Sequence, residues 1–111
     1  MKKSKRAKAC DISAKVKKEV WERDGGRCVI CGNKINVMPN AHYIPRSAGG
    51  LGIAENILTM CTNFTENKCH YKYDFGNAEE VEEIRAKAEE HLRNHYPEWD
   101  PEKLVYRKWD F

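Results

Sequence analysis

Cys28 and Cys31 stand two residues apart in a chain of 111 residues with five cysteines, and no other feature constrains the fold as strongly. A chain this short buries a modest core and often needs a metal or disulfides to hold it. The basic opening "MKKSKRAKAC" is not followed by the apolar stretch of a secretory signal, so it reads as the arm of a cytoplasmic protein. In that compartment thiols stay reduced, which argues against a disulfide framework and makes metal binding the first expectation.

A Cys-x-x-Cys turn puts two thiolates where a knuckle grips tetrahedral Zn²⁺. Cys61 and Cys69 supply the second pair, although seven residues separate them where two to four are usual. Four cysteines close a structural zinc site, which leaves no open coordination position and contributes folding energy. Cys10 is left over as a plain thiol.

The chain around these cysteines predicts a small α+β domain. "DISAKVKKEVWERDGG" reads as a basic helix capped by Asp11 or Ser13 and stopped at Gly25 and Gly26. "CVICGNKINV" reads as a hairpin holding the knuckle, and "AHYIP" as a second strand closed by Pro45 and a Gly49-Gly50 turn. Residues 51–68 read mostly as loop with a short apolar piece, "NILTM". Residues 69–75 predict a short helix stopped by Gly76, and Asn77 with Glu80 forms a capping box for a helix through about Asn94. Val81, Ile84, Ala88 and Leu92 form its inner stripe. The division expected is a basic arm over residues 1–12, a core over 13–76, and a C-terminal helix and aromatic tail over 77–111 that packs on the core.

The charge is asymmetric. Residues 1–27 carry ten Lys or Arg against four Asp or Glu, whereas residues 79–111 carry six against ten. The basic end is a candidate phosphate contact, with Lys15, Lys17 and Lys18 on the helix. No apolar run approaches the roughly 18 residues of a membrane span, so no membrane partner is expected. His91 and His95 stand at i and i+4, but Leu92 follows His91 where a zincin helix needs glutamate, so the pair reads as a solvated helix face. Trp99, Tyr106 and Trp109 read as core aromatics.

Cys69 and His70 are neighbours, and adjacent residues of a helix point about 100° apart, so they should serve different metals. His70 and Asp74, at i and i+4, share a face and could hold one cation. An imidazole and a carboxylate leave most positions of a six-coordinate ion open to water and phosphate oxygens, the condition for a catalytic divalent ion.

"VWERDGGRCVICG", "AHYIPRSAGGLGIAEN" and "CHYKYD" together resemble the HNH endonucleases, particularly the small phage and mobile-element type. The likeness covers about residues 15–76. It implies a treble-clef-like ββα-metal core braced by a four-cysteine zinc, with helices at both ends. It further implies hydrolysis of DNA by nicking or double-strand cleavage, with Mg²⁺, Mn²⁺ or Ni²⁺ as the catalytic ion. By this resemblance His42 matches the general base, Asn56 the central asparagine and His70 the last histidine, a metal ligand. Asp74 lies where the family often has a second helical ligand, commonly His, and Arg46 looks like a phosphate contact.

Two positions depart from the pattern. Ala41 stands where the family usually places Asp or His as a metal ligand, so three outcomes are open: the metal is held by His70, Asp74, water and DNA phosphate, or Asn40 reaches it, or the site is degenerate and binds DNA without cutting. The Cys61 to Cys69 spacing is also wide. The expected partner is DNA, with phage packaging (terminase) proteins as a further candidate and a monomer as the expected state. The alternative expectation is a zinc-stapled module that binds DNA without cutting it.

Overall fold

The computed structural model describes residues 4–62 and 64–107. Two antiparallel strands carry helices on both sides. The helices are α1 (Lys5–Cys10), α2 (Ala14–Asp24), α3 (Cys69–Phe75) and α4 (Ala78–His95), and the strands are β1 (Val37–His42) and β2 (Ile57–Cys61). This is a small α+β fold, and no described helix is long and apolar enough to cross a membrane. Lys2, Lys3 and Trp109 lie outside the described residues.

The local signals explain the helix ends. Ser13, not Asp11, caps α2, its Oγ accepting from the Val16 N–H at 3.1 Å, and Gly25 ends the helix at φ 67°. Asn77 and Glu80 close the capping box of α4 with reciprocal bonds of 2.8 and 3.2 Å. Ile84, Ala88 and Leu92 of the inner stripe are buried, as the periodicity predicts.

The strands differ from the sequence reading. The knuckle residues 28–36 form turns instead of a hairpin, and β1 begins only at Val37. β1 also carries a register irregularity between Met38 and Ala41, where Pro39 has no N–H to give to the ladder. The apolar piece "NILTM" within the expected loop is largely a strand: Ile57–Cys61 forms β2, and all five of its residues are buried. Leu58, Met60 and Cys61 pack with α3 and α4, while Ile57 packs with Val20 of α2. A strand covered on both faces has no polar residues to alternate with.

A buried ion pair fastens the layers. Arg23 Nε donates to Asp24 Oδ1 at 2.7 Å, and its Nη1 and Nη2 donate to the Ala54 and Ile57 carbonyls, both at 2.7 Å. Asp24 Oδ2 accepts from the Thr59 N–H at 2.9 Å, and Oδ1 lies 2.7 Å from His91 Nε2. His91 therefore does not lie on a solvated face; it joins α4 to the end of α2.

The basic arm is structured as well. α1 packs on the loop that follows β1: Gly52 N–H donates to Ala9 O at 2.9 Å, and Arg6 Nη2 donates to Ser47 O at 3.0 Å. Cys10 is 2% exposed. A Cβ at Gly52 would run into the Asp11 carbonyl, so only glycine admits this approach.

Candidate metal centre and adjoining cleft

Helix α3 divides its residues among three stripes. Cys69 and Tyr73, one turn apart, are buried at 4% and 8% exposure. His70 and Asp74, the next stripe round, remain 29% and 44% exposed at the side chain. Tyr71 and Phe75 form an exposed ring pair 5.2 Å apart. The 100° step between adjacent helical residues is what separates Cys69 from His70.

On the buried side, the sulfurs of Cys28, Cys31, Cys61 and Cys69 all lie within 4.8 Å of one another. The knuckle turn is closed by the Gly32 N–H on Cys28 O at 2.9 Å and the Cys28 N–H on Asn33 O at 2.8 Å. The wide spacing from Cys61 to Cys69 is taken up by a loop that threonines fold back. Thr65 Oγ1 donates to Thr62 O at 2.9 Å and accepts from the Lys68 N–H at 3.0 Å, while Thr62 Oγ1 donates to Asn36 O at 2.9 Å. Lys68 then enters α3 at φ 43°.

The Cys69 thiol donates to Cys28, and this bond, with N–H groups of Cys31, Ile30 and Cys61, outweighs burial and holds the Cys28 thiol down at about 4. Burial and the neighbouring sulfurs push Cys61 up to about 11. Four convergent sulfurs are positioned to bind a metal ion, and a tetrahedral four-sulfur set suits zinc or iron.

The other side of α3 opens on a cleft of about 890 Å³, walled by β1, the loop after it, α2, α3 and α4. His42 enters it from the end of β1, His70 and Asp74 from α3, Arg46 from the loop and Lys17 from α2. Lys15 and Lys18 are exposed on α2 but do not line the cleft. His70 Nε2 lies 3.5 Å from Asp74 Oδ2. Among the described residues, no third His, Cys, Asp or Glu joins that pair within the span the four thiols share.

His42 Nε2 is 3.0 Å from the Cys10 carbonyl. A carbonyl only accepts, so Nε2 carries the proton and the Nδ1 lone pair is the free one in the neutral ring. Burial lowers the His42 pKa, the Cys10 carbonyl opposes this, the Arg46 and His70 charges lower it further, and Asp74 raises it; the balance is below the ordinary histidine value. The ring is neutral at pH 7 and available to accept a proton.

Asn56 does not reach the cleft. It is fully buried, its Oδ1 accepting from the Ile44 N–H at 2.9 Å and its Nδ2 donating to the Ile44 and Leu51 carbonyls at 3.1 and 2.9 Å. It clamps the loop that carries Arg46 and follows His42, so it is a positioning residue. Gly50 makes the turn within that clamp possible, since a Cβ there would collide with the Ile44 carbonyl. Arg46 is engaged by the arm: Nη1 donates to Cys10 O at 2.9 Å and Nη2 to Asp11 Oδ1 at 2.8 Å.

The sequence reading missed Arg85. It lines the cleft from α4 among Glu79, Glu80, Glu82 and Glu83, and its only sequence signal is a cation beside the buried Ile84 in an acidic helix. Asn40 also lines the cleft, and its Oδ1 is buried without a hydrogen-bond partner. That orphaned oxygen, on a residue of the cleft that His70 and Asp74 also line, fits a hard cation, which takes oxygen ligands.

No family model matches the chain, and no solved structure matches it. Among curated proteins it is similar to Anaredoxin of Nostoc sp. (strain PCC 7120), 33% identical over 63 residues that span 56% of this chain and 75% of that protein.

Proposed function

We propose that this chain, which belongs to the family of Anaredoxin, hydrolyses DNA phosphodiester bonds with an HNH-type ββα-metal site braced by a zinc ion on four cysteines. The observation that carries the reading is the meeting of His42, His70 and Asp74 in one cleft with Lys17, Arg46 and Arg85, on the stripe of α3 next to the one that joins Cys69 to three other convergent thiols. The strand–strand–helix order β1, β2, α3 supports it, as does the agreement of the cleft residues with the HNH pattern.

Each residue has a task in that reaction. His42, held by the Cys10 carbonyl at Nε2, takes the proton of the attacking water at Nδ1. His70 and Asp74 would hold a divalent ion, which would supply charge to polarise the scissile phosphate and stabilise the departing 3′-oxygen. Lys17, Arg46 and Arg85 attract the sugar-phosphate backbone. Asn56 fixes the loop between His42 and Arg46. Tyr73 OH donates to Tyr43 O at 2.6 Å and so ties α3 to the residue after His42.

The test is plasmid nicking with Mg²⁺, Mn²⁺ or Ni²⁺, comparing the zinc-loaded protein with His42→Ala. Loss of a positioned general base lowers the rate by about 10²- to 10⁴-fold. Equal rates would remove His42 from the reaction. DNA binding without scission under every ion would leave a zinc-stapled DNA-binding module.

A second reading rests on the four sulfurs together with the redox root in the relative's name. A tetrahedral set of cysteines also takes iron, and an iron there would carry an electron. Metal analysis and the visible spectrum of the purified protein separate the two. Zinc with no visible bands supports the nuclease brace; iron with sulfur-to-iron charge-transfer bands supports an electron carrier.

A further inference from the structure

Position 41 cannot supply a ligand to the cleft. Ala41 is fully buried in the core cluster with Leu58 and Met60, so a carboxylate or imidazole there would face apolar side chains. The cleft is instead served by the two residues that flank Ala41, namely His42 and Asn40. Both line it, together with His70 and Asp74.

Two buried side-chain oxygens among the described residues have no hydrogen-bond partner, Asn40 Oδ1 and Thr59 Oγ1. Thr59 sits within the fully buried strand β2, away from the cleft. Asn40 lines the same cleft as the His70 and Asp74 pair, which lacks a third ligand. Buried polar atoms are nearly always paired, and one left unpaired beside a half-built cation site calls for its missing partner.

We infer that Asn40 is the third protein ligand of the divalent ion, its amide oxygen completing a set with the His70 imidazole and the Asp74 carboxylate. The inference rests on the nuclease reading of the cleft and deepens it. A half-turn of the amide exchanges its oxygen and nitrogen without moving the rest of the side chain, so either position can present the oxygen. The amide is a hard, neutral donor. Three protein ligands leave about three places of an octahedral ion for water and phosphate oxygens. Because the amide adds no charge, the set with its single carboxylate leaves the ion a net positive charge with which to attract the phosphate.

Titration of the zinc-loaded full chain with Mn²⁺, read by the loss of the free-ion electron spin resonance signal without DNA, tests the assignment. Wild type takes up one Mn²⁺ beyond its zinc. Asn40→Ala weakens that uptake by at least about tenfold, the lower end of the loss produced even by partners outside the first coordination shell. Asn40→Asp strengthens it, a gain that misfolding cannot produce. Wild-type affinity in Asn40→Ala, or weaker binding in Asn40→Asp, overturns the assignment; if wild type still nicks plasmid, the nuclease reading survives that failure. Absence of any Mn²⁺ uptake by wild type overturns the assignment, and absence of nicking as well takes the nuclease reading with it.

Discussion

Two neighbouring stripes of α3 face donors in opposite condition. On one side four sulfurs converge, three of them in buried cysteines, with the turns around them closed by backbone and threonine bonds. On the other, His70 and Asp74 stay partly exposed, Asn40 Oδ1 lacks a partner, and the arginine of the loop is borrowed by the arm. A closed site is complete within the chain and contributes to its stability. An open one keeps unsatisfied groups that only a ligand can complete, and it is tolerated because the closed side holds the helix in place. In the proposed nuclease, residues one step apart in sequence, Cys69 and His70, would thus belong to a brace and to a reaction centre.

The largest effect should come from breaking the brace. Apparent binding energies of structural zinc reach about 10–16 kcal/mol in small domains, more than a chain of this size retains on folding. Cys28→Ser, or a strong chelator, is expected to unfold β1, β2 and α3 together, seen as loss of circular dichroism and of protection from protease. His42→Ala should instead leave the thermal midpoint within a few degrees while nicking falls, since its ring touches the arm and the cleft but not the main cluster. If the chelated protein keeps its fold, the division of labour between the two sides is wrong.

A smaller effect separates both sides from the scaffold they share. Burial works against the Asp24 carboxylate, but bonds from His91, Arg23 and the Thr59 N–H, with the Arg23 charge, outweigh it and hold the pKa at about 2, below the ordinary 3.8. A folded-state pKa lowered in this way stabilises the protein above pH 3.8, and the contribution fades as pH falls toward 2. Asp24→Asn leaves Arg23 as an unpaired buried charge and is expected to cost about 3–5 kcal/mol at pH 7. Urea denaturation of both proteins should converge as the pH is lowered below 3.8, because wild type then loses the charge that the variant already lacks. A constant difference down to pH 2 would assign the stabilisation to packing.

The helix signals were readable because they are local: Ser13, the Gly25 stop, the Asn77–Glu80 box and the 69–75 helix depend on neighbours within four residues. The four cysteines were readable because soft donors in one chain have few other uses. The strands were harder. Pro39 inside β1 reads as a strand breaker, and its irregularity hides the start at Val37. β2 shows no alternation because both of its faces are covered. α1 reads from the sequence only as a basic arm because charge dominates its composition, whereas its placement depends on Gly52 and Ser47 about 40 residues away. His91 was misjudged for the same reason, since Asp24 lies 67 positions before it.

The smallest expected effect concerns the arm at the mouth of the open side. Asp11 holds Arg46 Nη2 at 2.8 Å with both side chains part-exposed, so a carboxylate occupies the cation that would meet a phosphate. Exposed pairs of this kind are worth about 0.2–1 kcal/mol. Asp11→Asn removes that competition and one negative charge, and it should tighten binding to a short DNA duplex by up to about fivefold at low salt. The gain should shrink as salt is raised, because screening weakens the lost repulsion and the phosphate contacts alike. Once Arg46→Ala has been introduced, adding Asp11→Asn should bring a smaller gain, since the competition for that guanidinium is gone and only the loss of one negative charge remains. Fluorescence anisotropy on wild type, the two single variants and the double variant closes this cycle, and weaker binding by Asp11→Asn would mean that the arm positions Arg46 for DNA instead of competing for it.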